Sequence, residues 1–96
     1  MTNQTKISGV LLNKQPIRYT PAGIPLVSFV LQHQSQQTEA GMRRQVMCEV
    51  QIMALAEMAL VADQLQVGSP IQVTGFLAKR SMKSTQLVLH VINIEY

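Results

Sequence analysis

At 96 residues, 47% hydrophobic and 14% charged, with a formal net charge of +3, the chain fits one domain (1–96) built around one core. So few charges suit a domain that covers part of its surface by self-association. The single Cys48 excludes an internal disulfide and a cysteine-based zinc site, and no apolar run reaches about 18 residues, so a cytoplasmic, non-membrane protein is expected.

The first strand carries Ile7, Val10 and Leu12, and Gly9 is expected to interrupt it as a bulge or sharp bend. Pro16 to Leu31, PIRYTPAGIPLVSFVL, reads as strand, tight turn and strand. The turn is Thr20-Pro21-Ala22-Gly23, in which proline fixes φ near about −65° and glycine supplies the positive-φ position. Arg18 and Tyr19 end the first arm. A cation and an aromatic beside a hairpin tip suit a phosphate backbone and a base.

From Leu26 to Ser35, Val27, Phe29 and Leu31 alternate against Ser28, Gln32 and Gln34, with Val30 among the latter. Gln34 to Gly41 is expected to be a polar loop. A third strand follows, with Val46, Cys48, Val50 and Ile52 on its apolar face. Cys48 there reads as a small buried hydrophobe. Arg43, Gln45, Met47, Glu49 and Gln51 take the other face. Met53 to Leu65 is rich in good helix formers, and Leu55, Met58, Ala59 and Ala62 give it an apolar stripe. Gly68 and Pro70 end it. Strand four runs from Ile71 to about Ala78, Lys79 to Thr85 is a short basic loop, and strand five spans Leu87 to Glu95.

Five strands with one helix between the third and fourth is the element order of the OB-fold. The expected fold is therefore all-β, a five-stranded Greek-key OB barrel with one short helix between strands three and four. Such barrels bind oligonucleotides on strands two and three and through the loops joining strands one–two and four–five. The Thr20–Gly23 turn and the Lys79–Thr85 segment occupy those two loops. Charge is distributed to match. The first 38 residues hold Lys6, Lys14 and Arg18 and no acid, and residues 64 to 94 hold Lys79, Arg80 and Lys83 and no acid. Basic segments flanking a mixed centre suit a polyanion; the alternative is a solvated basic surface.

PIRYTPAGIPLVSFVL resembles the opening hairpin of bacterial single-stranded-DNA-binding proteins (SSB), and GSPIQVTGFL at Gly68 to Leu77 resembles their fourth strand. Within that superfamily the chain is most similar to the PriB family of primosomal replication proteins. Four segments carry the likeness: MTNQTKISGVLLN; AGIP at Ala22 to Pro25 leading into FVLQHQS at Phe29 to Ser35; EAGMRRQVMCEV at Glu39 to Val50; and VGSPIQVTGF with LVLH at Leu87 to His90. SSB proper continues into a linker and an acidic tail, whereas these residues stop at Tyr96, which favours PriB. The resemblance implies a homodimer that binds single-stranded DNA and contacts a PriA-type helicase in replication restart, with other primosome proteins and SSB as further partners. Relatives often place a base-stacking tryptophan where this chain has Met47, and some have a basic residue where it has Gln34. Weaker DNA binding than in a tryptophan-bearing relative is expected.

The candidate DNA contacts are Arg18, Tyr19, Arg43, Arg44, Met47, Lys79, Arg80 and Lys83. Each has a rival reading. The cations of Lys79 to Lys83 either touch phosphate or form a solvated tip, Tyr19 either stacks a base or packs on the barrel, and Met47 is either a DNA or a protein contact. Strict alternation puts Arg43 on the side of Met47 and Arg44 opposite. Phe76 is either an outward platform or part of the core or an interface. His33 and His90 read as strand histidines. No catalytic or metal-spaced constellation is present, so neither enzyme activity nor a cofactor is expected.

Overall fold

Alternating apolar residues draw five segments into long strands that pair edge to edge until the sheet closes. The structure, a computed structural model, describes residues 1–96. Its elements are β1 (Thr5–Lys14), β2 (Arg18–Tyr19), β3 (Pro25–Glu39), β4 (Met42–Leu55), α1 (Glu57–Gln64), β5 (Pro70–Lys79) and β6 (Leu87–Glu95). The sheet order is β1-β5-β6-β4-β3-β2, and a further β1–β3 pairing closes five strands into a barrel. β2 adds only two residues to β3, opposite Leu26 and Pro25. Every pairing is antiparallel except β4 with β6, where Ile52 meets Leu89 and Met53 meets His90. This is the expected OB barrel, with its helix between the third and fourth barrel strands.

Closure depends on β1 serving two neighbours. Thr5–Val10 pairs with β5, and Val10–Lys14 pairs with β3. At the changeover the strands crowd so closely that a Cβ on Gly9 would run into the Gln32 carbonyl. Gly9 is therefore a close-approach site rather than the expected bulge. The extra residue is Leu12, between the paired Leu11 and Asn13. Regular alternation up to that point, through Ile7, Gly9 and Leu11, turns Leu11 into the core and leaves Val10, one of the expected apolar positions, exposed. A second irregularity falls at Ile92, skipped between the partners of Thr74 and Gly75, so Ile94 rather than Asn93 turns inward.

The core joins Leu11, Val27, Phe29, Leu31, Ile52, Val73 and Leu89, all fully buried. Each such side chain contributes about 1.5–3 kcal/mol on burial. α1 packs against β3, β4 and β6, with Ala59 and Ala62 buried. Small residues let the helix approach closely. The amine of Lys14 donates to the carbonyls of Asp63 (2.8 Å) and Leu65 (2.6 Å), satisfying backbone acceptors where the helix ends.

Two element boundaries correct the expectations. The helix does not begin at Met53: Met53, Ala54 and Leu55 remain in β4, opposite Ser28, Val27 and Leu26. Strand pairing there overrides helix propensity, and Ala56, at φ 57°, makes the break. Gln34 to Gly41 is not a loop. β3 runs on to Glu39, and Ala40-Gly41 alone forms the turn, with φ 52° and 75°. Two consecutive positive φ values mark the type I′ geometry of a two-residue hairpin. From His33 to Cys48 this hairpin pairs with neither β1 nor β6. It extends from the barrel as a two-stranded arm, and the molecule measures 49 × 31 × 20 Å. Cys48 lies on that arm and is exposed, not buried as expected.

Candidate nucleic-acid interface

Strand register sets the face available on the outside of β3 and β4. Val27, Phe29 and Leu31 point inward, so Ser28, Val30, Gln32 and Gln34 point outward. Their partners across the pair are Met53, Gln51, Glu49 and Met47. The face is thus mostly amide, hydroxyl and thioether, with Glu49 its acid. It supplies hydrogen-bonding groups and apolar contact but no cation until Arg43, opposite Thr38 on the arm.

β2, just before its turn into β3, and the β5–β6 loop bring cations to the other end. The β2–β3 turn is closed by the Gly23 amide donating to the Thr20 carbonyl at 2.8 Å, and the Ile24 amide donates to Thr20 Oγ1 at 3.1 Å. The β5–β6 loop is closed by the Arg80 amide donating to the Gln86 carbonyl at 2.9 Å. Arg18 and Arg80 line one groove of about 560 Å³, together with Ser28, Gln51, Met53 and Val88. No acid lines it. Arg18 and Arg80 are separated by most of the chain, and only closure of the barrel brings them together.

The other candidates are placed differently. Tyr19 is 64% exposed, so it does not pack on the barrel. As Arg18's neighbour on an extended strand it points to the other side of β2. Lys79 is the last residue of β5, opposite Leu87, and Lys83 sits at the exposed loop tip. Met47 is 67% exposed and borders a second concavity of about 550 Å³ with Gly9, Gln32, His33, Gln34 and Glu49. Arg43 shares Met47's face. Arg44 lies on the reverse, and its guanidinium meets Glu39 at 3.0 Å. Of the eight cations, Arg44 is ion-paired and Lys14 is bound to helix carbonyls, which leaves six free of such partners. His33 is held by the Ser8 carbonyl (2.7 Å) and the Ser35 hydroxyl (2.8 Å), as a strand histidine should be.

A model of the family described as "Another single-strand binding protein family" matches residues 3–93. The "Replication restart protein PriB" of Nitrosomonas europaea is 44% identical, over 93% of this chain and 82% of that protein. The protein of the same name from Photorhabdus laumondii is 41% identical, over 98% of this chain and 92% of its own. The chain belongs to the PriB family. The solved structure of PriB from Ralstonia solanacearum superposes with a TM-score of 0.91 at 33% identity, covering 100% of this chain and 98% of that one. The single-stranded DNA binding protein of Thermus aquaticus superposes at 0.78 with 26% identity, and this chain spans 49% of it.

The PriB likeness covers β1 to β6 and so includes both concavities. Sequence reasoning missed Ser28, Gln51 and Met53 as groove residues, because an outward polar residue on a strand carries no signal of its own. The strand alternation of Leu26 to Ser35 had placed Ser28 on the outer face. Which loops overhang it was visible only through the OB element order.

Proposed function

We propose that this PriB-family chain binds single-stranded DNA without sequence preference and assists a PriA-type helicase in replication restart, as a cytoplasmic, non-enzymatic homodimer. The observation that carries the reading is the acid-free groove in which Arg18 of β2 and Arg80 of the β5–β6 loop flank Ser28, Gln51 and Met53. Paired guanidinium groups hold phosphates and read no base, so the binding they support is independent of sequence. Lys79 and Lys83 extend the cationic edge along the second loop, Arg43 adds a separate cation on the arm on the same face as the apolar Met47, and Tyr19 and Arg44 lie outside the groove. The family name and the single-strand binding of the Thermus aquaticus protein support the same assignment.

With three to five phosphate contacts, log K for single-stranded DNA falls with log[salt] at a slope of about −2 to −3.5. A fluorescent oligothymidylate titrated at two salt concentrations, beside the same length of duplex, tests this. A flat salt response or equal affinity for duplex would contradict it.

A second reading is favoured by the arm. Met42, Met47 and Cys48 are exposed there, and Glu49 puts an acid beside Met47. Such a surface suits a protein-interaction adaptor with weak DNA binding. Capture of a PriA-type helicase that survives nuclease treatment supports the adaptor reading; loss of the complex counts against it.

A further inference from the structure

The β5–β6 side of the barrel, outside the groove and both loops, carries a ring pair that the groove reading does not use. Phe76 and His90 are cross-strand partners, and their rings stack with centroids 5.2 Å apart and planes 4° from parallel. Phe76 alternates with the buried Val73 and Gly75 face, stands outward and keeps 40% of its surface exposed. A half-exposed phenylalanine held parallel to a second ring offers a flat, apolar face of defined orientation.

The neighbours on both sides matter. Across β6, His90 is in register with Met53 of β4, which lines the Arg18–Arg80 groove. The ring pair therefore adjoins the groove rather than forming a separate patch. On the far side β5 runs beside β1, where Lys6 pairs with Thr74, one outward position from Phe76. Continuing that register puts Gln4, which lies before β1, level with Phe76. The outward rows around the rings are Lys6, Thr74 and Asn93; Met53, His90 and Phe76; and Ala78 with the buried Val88. They hold a cation and no acid. Arg80 stands four residues beyond Phe76, at the start of the loop.

The geometry points to a base-stacking platform at Phe76, backed by His90, that extends the single-stranded DNA path from the Arg18–Arg80 groove across β6 and β5 toward Lys6. The inference rests on the single-stranded DNA reading and adds a subsite to it. A nucleobase fits the observations better than a protein side chain does: the exposed ring has a cation on either side, Arg80 and Lys6, and the nearest acid on this face, Glu95, stands one row beyond Lys6, opposite Gln72. Stacking on a ring is tolerant of base identity, in keeping with binding that reads no sequence.

The test compares the wild-type chain with Phe76→Leu, which retains an apolar side chain and removes the ring. Two oligothymidylates are used, of about 5 and about 16 nucleotides, near the ends of the range one OB-fold engages. Phe76→Leu should lose roughly fivefold or more in affinity for the long oligonucleotide and less than about twofold for the short one. An oligonucleotide carrying 2-aminopurine should show stacking quench with the wild-type protein and lose it with Phe76→Leu, a change that a merely structural role would not produce. Unchanged affinity for the long oligonucleotide, or equal loss at both lengths, overturns the platform. Loss of self-association with long-oligonucleotide affinity intact makes the ring pair a contact between copies and also overturns it. An Arg18→Ala, Arg80→Ala variant separates this from the groove reading. If that variant loses the short oligonucleotide while Phe76→Leu retains both, the groove stands and the platform fails. If neither variant loses either oligonucleotide, the groove reading itself fails.

Discussion

The loop end and the arm end of the β3–β4 face are two concavities of nearly equal size, about 560 and about 550 Å³, with opposite electrostatics. The loop end is lined by two arginines and no acid. The arm end is lined by Glu49 and no cation, and Met47 stands there exposed. One row of outward residues on β4 (Met47, Glu49, Gln51, Met53) joins them over about 20 Å at the usual rise per strand residue. On the proposed reading, a flexible polyanion laid on this face would be held by charge at one end and by apolar contact at the other. Charge at the loop end is supplied by segments distant in sequence, so it exists only once the barrel has closed. The arm surface is local to one hairpin.

The largest expected effect comes from removing the loop-end charge. Arg18→Ala with Arg80→Ala should weaken single-stranded DNA binding by about tenfold or more at low salt, because a hydrogen bond to a charged group contributes about 1.5–3 kcal/mol. Fluorescence anisotropy measures it, and an unchanged melting temperature would show that the barrel is intact. Met47→Trp should act in the opposite direction at the arm end. An aromatic stack contributes about 1–3 kcal/mol per base, so affinity should rise about fivefold or more. No gain would mean that DNA does not reach the arm, and would sharpen the division between the two ends. The smallest effect belongs to the reverse of the arm. The Arg44–Glu39 pair is exposed on both sides, so replacing both residues by alanine should change stability by less than about 1 kcal/mol and leave DNA affinity within about twofold. A large loss would move the DNA path to the other face of the arm.

Much of this architecture is legible in the residues. Strand five is found where the spacing predicts it, Leu87–Glu95, because Leu89 and Val91 alternate against His90; the irregularity at Ile92, which turns Ile94 inward, has no sign in the spacing. The arm was misread for the opposite reason. Once β3 and β4 leave the barrel neither face has a core to cover, so Gln34 to Arg44 is polar on both sides and looks like a loop. Its turn did leave a trace in Ala40-Gly41, where glycine supplies one of the two positive φ values. The helix start was misread because Met53, Ala54 and Leu55 are good helix formers that pairing with β3 holds extended. At the candidate interface, Arg18 is legible as a cation at the end of a hairpin arm and Arg80 as a loop cation. Their convergence is not, because it depends on the closure made at Gly9 and Leu12. Arg44 showed no sequence sign of its ion pair, which forms only because the hairpin brings Glu39 beside it.

Phosphate binding by the loop-end arginines is the central proposal. The slope of log K against log[salt] for single-stranded DNA, measured for the wild-type chain and for Arg18→Ala with Arg80→Ala, tests it most directly. Two lost phosphate contacts should make the variant's slope shallower by about 1.4. Equal slopes, whatever the change in affinity, would contradict it.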